Sequence, residues 1–137
     1  MGTNCLMKSL KTIIEIRASA ASAWDLLIDT QRWPEWGPSV FRVDCTDRYI
    51  GPGTIGQVQT AFGIWLPFQV TEFTADRYWR WQVAGIPATG HQVESMGSNL
   101  CQVLFDMPWL AAPYLVICRL AAQRIRNILE EERRNPE

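Results

Sequence analysis

ASAASAWDLLIDTQRWPEW, residues 18–36, is the stretch that decides the fold of this chain. Ser19 or Ser22 can cap a helix here, because a serine hydroxyl accepts hydrogen bonds from the free amide groups of a first helical turn. Pro34 disfavours helical backbone in the residue before it. We therefore expect a helix that ends near Thr30, followed by a Trp-Pro-Glu-Trp turn whose two indoles close one end of an interior.

The composition is that of a globular domain with a large core. The 137 residues are 47% apolar and 20% charged, and seven of them are tryptophans. This balance predicts a single domain over residues 1–137, with a core of about 10–132. The net charge of −1 lacks the clustered positive charge on which nucleic-acid binding depends, so we expect no nucleic-acid partner.

The cysteines and the missing motifs limit location and chemistry. Cys5, Cys45, Cys101 and Cys118 do not have the spacing of a zinc site, and a domain of this size needs no disulfides, which predicts reduced thiols in the cytoplasm. The sequence has no phosphate-binding glycine loop, nucleophile elbow or histidine pair, so we expect no cofactor and no metal. No apolar run is long enough for a membrane span, which argues against stable membrane insertion. The sequence leaves open whether the chain forms a homodimer.

Alternating apolar residues predict strands on both sides of the helix in residues 18–36. A first strand precedes the helix at residues 12–17. Glycine and proline turns such as 51–53 divide the chain after the tryptophan turn into short strands. Six strands are predicted there, at residues 40–45, 54–61, 64–73, 78–83, 87–95 and 99–107.

From residue 109 to about residue 133 the apolar period changes to that of a long helix. Its predicted apolar stripe consists of Leu110, Tyr114, Ile117, Leu120, Ala121, Ile125 and Ile128. A helix with one apolar face buries it on an antiparallel sheet. The predicted fold is therefore α+β, a curved antiparallel sheet of about seven strands wrapped around a long C-terminal helix, with two short helices after the first strand and a pocket between sheet and helix.

This order of elements, together with residues 20–40, resembles the SRPBCC or START-like superfamily with its helix-grip fold. The closest likeness is to its polyketide cyclase/dehydrase and lipid-transport branch. The glycine hairpin at 51–56 and the central hairpin at 70–81 also match that branch. The resemblance covers about residues 10–130 and implies a cavity for a small apolar molecule. It implies no particular reaction, because the matching residues are packing and turn residues.

Three side chains are candidates for chemistry. His91, the one histidine, shares strand parity with Val93 and can act as a general acid or base near neutral pH, although a purely structural histidine fits the same pattern. Tyr114 and Arg119 on the last helix can donate hydrogen bonds to a carbonyl or phenolic oxygen.

Aromatic and apolar side chains on the inner faces of the strands and helices are the candidates for ligand contact, although each also suits a simple core. The candidate ligand-binding residues are Trp33, Trp36, Phe68, Val70, Trp79, Trp81, Val93 and Ile117.

Three functions are compatible with the sequence. The first is binding of a small hydrophobic molecule, aromatic, polyketide-like or lipid-like, by a carrier or sensor. The second is a polyketide cyclase or dehydratase that uses His91 as acid or base. The third is a protein-interaction module, for which an exposed apolar patch on the outer sheet face would be needed.

Overall fold

The computed structural model describes residues 9–108 and 115–135. The predicted order of strand, helix, short helical turn, six strands and C-terminal helix is confirmed. The helices are α1 (Ala20–Ile28), α2 (Trp33–Trp36) and α3 (Leu115–Arg134), with 3-10 turns at Thr30–Arg32 and Ala61–Gly63. The strands are β1 (Ser9–Ile16), β2 (Arg42–Asp44), β3 (Ile55–Gln59), β4 (Trp65–Thr74), β5 (Tyr78–Val83), β6 (Ile86–Gly97) and β7 (Leu100–Pro108).

The seven strands form an antiparallel sheet in the order β1-β7-β6-β5-β4-β3-β2. β1 pairs with β7 along its whole length, with Ile16 opposite Cys101. The register shifts in three strand pairs, at residues 70–72, 80–82 and 95–97. Because bulges bend and twist strands, these irregularities curve the sheet around its helices. The fold is the expected helix-grip fold.

The helix cap and the indole hydrogen bonds together hold the tryptophan turn in place. The Ser19 hydroxyl accepts from the Ser22 amide at 3.1 Å and starts α1, as one of the two predicted caps. α1 ends at Ile28, and Pro34 occupies the first turn of α2, where its missing amide costs nothing. Trp33 and Trp36 are both buried. Their indole N–H groups donate to the last carbonyls of α1, those of residues 27 and 26, at 2.8 and 3.3 Å.

α3 closes the open side of the sheet and packs on β1 and the short helices. Its buried face runs through Cys118, Ala121, Ala122, Ile125 and Leu129. The predicted stripe was therefore slightly out of phase, since Ile117 and Ile128 are half-buried and Leu120 is exposed. The predicted start of this helix at residue 109 and the side chain of Tyr114 lie outside the described residues.

Ion pairs join the charged end of α3 to the short helices. The guanidinium of Arg32 bonds both Glu35, at 3.0 Å, and Glu132, at 2.6 Å. The backbone amide of Arg17 donates to the Glu130 carboxylate at 3.0 Å. These contacts fix α3 against the segment that carries the two buried tryptophans. The position of α3 relative to α2 is therefore defined.

Candidate ligand-binding cavity

A cavity of about 360 Å³ lies between the concave face of the sheet, α2 and α3. Strands β3 to β7 form one wall, α2 and the loop after it form a second, and α3 forms a third. Two lining residues, Ile86 and Pro87, are exposed, so the cavity meets solvent beside the turn between β5 and β6. Its volume is in the range of small-molecule sites.

Stacked rings form one wall of this cavity. Trp33 and Trp79 lie nearly parallel, with ring centroids 5.5 Å apart and an interplanar angle of 7°. The imidazole of His91 also stacks on Trp79, at 3.8 Å and 16°. Trp81 meets Trp33 edge to face at 5.3 Å. The rings pack tightly on one another and make this wall apolar and aromatic, a surface suited to another aromatic ring.

His91 is the end of a short chain of hydrogen bonds. Its Nδ1 lies 3.3 Å from the Trp79 carbonyl oxygen, which can only accept, so we assign the proton to Nδ1. Its Nε2, at 3.2 Å from the Thr89 hydroxyl, then accepts from that hydroxyl. The Thr89 oxygen in turn accepts from the indole N–H of Trp81 at 3.0 Å. Both imidazole nitrogens are thus occupied by protein partners.

Burial keeps this imidazole neutral. His91 is almost fully buried, and desolvation lowers its pKa to about 3. The hydrogen bond to the Trp79 carbonyl acts in the opposite direction, and the positive charge of Arg80 adds to the lowering. At neutral pH His91 is therefore a hydrogen-bonding ring without charge, and it has little basicity to offer to a substrate.

One indole in the wall differs from the others. Trp33, Trp36 and Trp81 each donate their N–H to a protein acceptor. The Nε1 of Trp79 is buried and has no hydrogen-bond partner among the described residues. Such buried orphan donors are uncommon and call for an explanation.

No Asp, Glu, Lys or Arg side chain lines the cavity in residues 9–108 and 115–135. A cluster of charged side chains lies on the other face of the sheet. There Arg80 donates to the Tyr78 hydroxyl at 2.9 Å and to the Ala88 carbonyl at 3.0 Å, and forms an ion pair with Asp106. Gly90 makes room for this cluster, since a Cβ there would collide with Tyr78 and Asp106. The cluster leaves the cavity itself uncharged.

Six of the eleven candidate residues line the cavity: Trp33, Trp36, Trp79, Trp81, His91 and Ile117. Phe68, Val70 and Val93 are buried in the core but do not line it. Arg119 is exposed on α3 and does not line it either, and Tyr114 lies outside the described residues.

The cavity also has lining residues that sequence reasoning missed. Thr89 is the most informative of them, because it orients His91. Thr89 lies two residues before His91 on β6, and residues two apart on a strand point to the same face. This spacing could have identified Thr89 from the sequence. The other missed contacts include the loop at 37–40, Cys118 and apolar residues of the strands such as Phe105 and Met107, and no local pattern in the sequence distinguishes them from ordinary loop and core residues.

The described residues give little support for metal or thiol chemistry. They contain no cluster of three or more His, Cys, Asp or Glu side chains suited to a metal ion. Cys45, Cys101 and Cys118 are free thiols, and burial raises the pKa of each, that of Cys118 to about 11. Among the helices of residues 9–108 and 115–135, none carries an apolar stretch of bilayer-spanning length.

This fold, with an apolar cavity between sheet and C-terminal helix, is the helix-grip fold, and together with the family match it defines a domain of the SRPBCC or START-like superfamily. The chain belongs to the polyketide cyclase/dehydrase and lipid transport family, whose model matches residues 7–129. No curated protein sequence matches the chain significantly.

Solved structures share the fold at low sequence identity. The Zhui aromatase/cyclase from Streptomyces sp. R1128 is 11% identical, with a TM-score of 0.73 over 92% of this chain and 95% of that one. XoxI from Bacillus cereus is 18% identical, with a TM-score of 0.69 over 90% and 96%. Norcoclaurine synthase from Thalictrum flavum, solved with dopamine and hydroxybenzaldehyde, is 14% identical, with a TM-score of 0.67 over 91% and 87%. At these identities the likeness establishes the fold alone.

Proposed function

We propose that this chain binds a small, apolar, planar molecule in the cavity between the sheet and α3, as a carrier or sensor. The observation that supports this most directly is the wall of stacked rings formed by Trp33, Trp79 and His91, with Trp81 at its edge. Around it the lining is mostly apolar, and no charged side chain of the described residues reaches it.

The expected affinity is moderate. A planar molecule that buries about 200 Å² of apolar surface gains about 5 kcal/mol, and stacking on an indole adds about 1 kcal/mol. Loss of translational and rotational freedom offsets part of this gain. A gain of about 6 kcal/mol corresponds to a dissociation constant of about 40 μM. The offset weakens this, so dissociation constants of about 0.1–1 mM are expected for simple aromatic probes.

A cyclase or dehydratase is the second candidate, favoured by the family match and by the aromatase/cyclase among the structural neighbours. Its proton transfers would fall to His91, with Tyr114 or Arg119 as donors. The low pKa of His91 makes it a poor base at neutral pH, and its Nε2 is already hydrogen-bonded to the Thr89 hydroxyl. Both observations argue against that role. Arg119 is exposed and does not line the cavity. Binding without turnover is therefore the better-supported function.

Native mass spectrometry and a fluorescence titration test the first candidate. The purified protein is weighed before and after organic extraction, and is then titrated with the neutral probe N-phenyl-1-naphthylamine. Saturable binding with enhanced probe emission is expected. Absence of saturable binding, together with no extractable ligand, would overturn the proposed function.

A matched pair of substitutions locates the site. Ile117→Trp fills part of the cavity, and we expect it to weaken probe binding at least about tenfold. Val116→Trp adds the same side chain one residue earlier on α3, where the native side chain is 70% exposed and does not line the cavity. Equal affinities of the two variants would place the bound probe elsewhere.

Turnover separates the two candidates. His91→Gln retains a donor and an acceptor but cannot act as an acid or base. If the wild-type protein cyclises or dehydrates a polyketide-like substrate and this variant binds it without reaction, the enzyme reading replaces the carrier reading.

A further inference from the structure

We propose that the mouth of the cavity is a peripheral docking surface for a lipid bilayer. The surface consists of four segments that border the opening, residues 37–41, 60–66, 84–88 and 115–117, which together we call the mouth rim. Such docking goes beyond the proposed function, because it depends on exposed side chains and not on the molecule bound inside.

The segments of the mouth rim lie at one end of the sheet. The Phe41 amide donates to the Gln59 carbonyl at 2.8 Å, and the Ala84 amide donates to the Pro67 carbonyl at 2.7 Å. These bonds hold the loop after α2 and the turn between β5 and β6 beside the connection from β3 to β4. Each of the four segments also contributes to the cavity wall, the last of them through Ile117. They therefore border one cavity at the end where it meets solvent.

Large apolar side chains project from every segment of the mouth rim. Each is more than half exposed: Phe41, Phe62, Ile64, Ile86 and Val116. Exposed apolar residues that are scattered singly over a surface are normal. Several that gather around one opening instead mark an interaction site.

Phe62 shows this most clearly. Its side chain is 97% exposed, and its φ of 63° is in the left-handed region, which is costly for a residue with a Cβ. The turn that carries it is closed by hydrogen bonds, since the amide and the hydroxyl of Thr60 both donate to the Ile64 carbonyl, at 2.7 and 3.1 Å. The ring buries almost no surface within the chain, so an apolar environment outside the chain explains its position.

Charge is absent from the mouth rim and present at the opposite end of the sheet. None of the residues in the four segments is Asp, Glu, Lys, Arg or His. The turns at the other end, within residues 45–48 and 74–77, carry Asp47, Arg48, Asp76 and Arg77. Because a charged side chain among lipid acyl chains is strongly unfavourable, only the end with the mouth rim suits contact with a bilayer.

Positive charge begins directly behind the mouth rim. Arg42 follows Phe41, and Arg119 lies one helical turn after Val116 on α3. Both arginines are exposed, and neither pairs with a carboxylate among residues 9–108 and 115–135. Apolar tips with cations behind them match the order of acyl chains and phosphates in a lipid leaflet. Protein interfaces instead surround an apolar centre with hydrogen-bonding groups, so we assign the surface to lipid and not to a second protein chain.

Flotation of the full chain with phosphatidylcholine vesicles tests this docking. The wild-type protein should float with the vesicles and should remain bound in about 0.5 M NaCl, because salt does not screen apolar contacts. Phe62→Asp should weaken the partition onto vesicles at least about tenfold, because the contact of the ring is lost and a carboxylate takes its place.

Ile55→Asp is the matched control. It gives the same net charge as Phe62→Asp, and Ile55 is 67% exposed at the end of β3 away from the mouth rim. We expect this variant to bind vesicles as the wild type does. Without vesicles, both variants should bind N-phenyl-1-naphthylamine like the wild type, since neither residue lines the cavity.

A spin-labelled lipid gives the orientation of the bound protein without any substitution. ¹⁵N-labelled protein is added to phosphatidylcholine bicelles that contain a doxyl-labelled lipid. The amide resonances of Gly63 and Gly85 should broaden, because both residues belong to the mouth rim. The amide resonance of Arg77, at the opposite end of the sheet, should stay sharp.

The opposing outcomes are distinct. Absence of vesicle binding, equal binding of the two aspartate variants, or broadening at Arg77 and not at Gly63 overturns the docking surface, and the proposed function stands if N-phenyl-1-naphthylamine still binds. Binding only to anionic vesicles at low salt overturns it as well, because positive charge would then be the cause. A wild-type dimer that Phe62→Asp converts to a monomer would make the mouth rim an interface between two copies of the chain and overturn lipid docking.

Discussion

Acidification from pH 7.5 to pH 5 should destabilise this protein, and the titration of His91 by itself is enough to cause a measurable loss. The unfolded chain binds a proton at an ordinary histidine pKa of 6.5, but burial lowers the pKa in the folded protein to about 3. Between these values the unfolded state holds the proton and the folded state does not. The free energy of unfolding therefore falls as the pH falls below 6.5.

The size of the loss follows from this window. At about 1.36 kcal/mol for each pH unit between 6.5 and 5, the loss is about 2 kcal/mol. Any folded-state pKa below about 4 gives the same result at pH 5, because the folded imidazole is then still neutral. The chain has one histidine, so no other imidazole contributes.

Urea unfolding at pH 7.5 and pH 5 measures this loss, and His91→Gln is the control. The wild-type protein should lose about 2 kcal/mol, whereas the variant should lose much less, because glutamine does not titrate. Each protein is compared with itself, so any cost of the substitution cancels. An equal loss in both proteins, or an imidazole resonance that titrates near pH 6.5 in the folded state, would refute the buried neutral histidine.

Two further predictions concern the space around two glycines and the backbone conformation of an exposed phenylalanine. Gly90→Ala places a Cβ against the Tyr78 hydroxyl and should cost about 2–4 kcal/mol of unfolding free energy. Gly85→Ala, whose Cβ would meet nothing within 4 Å, should cost only the strain of its positive φ, about 1 kcal/mol; equal losses in thermal unfolding would contradict the packing argument. Phe62 is 97% exposed at a φ of 63°, so Phe62→Gly should raise the melting temperature slightly. A fall in the melting temperature would mean that the ring makes stabilising contacts.

Local chemistry explains why much of the fold was readable from the sequence. The cap at Ser19 fixes where α1 begins, and the proline at position 34 fixes where α2 begins. Alternation then marks strands such as β5, whose predicted bounds are those observed. These features depend on residues a few positions apart, which a sequence displays directly.

Features that depend on distant contacts were harder to predict. The buried face of α3 includes Cys118 and leaves Leu120 exposed, because contacts with β1 and the short helices, which lie far away in the sequence, decide which face is buried. Arg80 lies opposite Glu72 in the strand register, yet its ion pair is with Asp106 on β7. The orphan N–H of Trp79 is visible only once every neighbouring acceptor has been placed.

The central claim is that a planar apolar molecule is held against the stacked rings of the cavity. Isotope-filtered nuclear Overhauser spectra of labelled protein with unlabelled 9-fluorenone test this most directly. We expect contacts from the ligand to the ring protons of Trp33 and Trp81 and to the methyl groups of Ile117, which lie on different walls of the cavity. Contacts confined to exposed groups such as Phe62 or Val116 would contradict the claim.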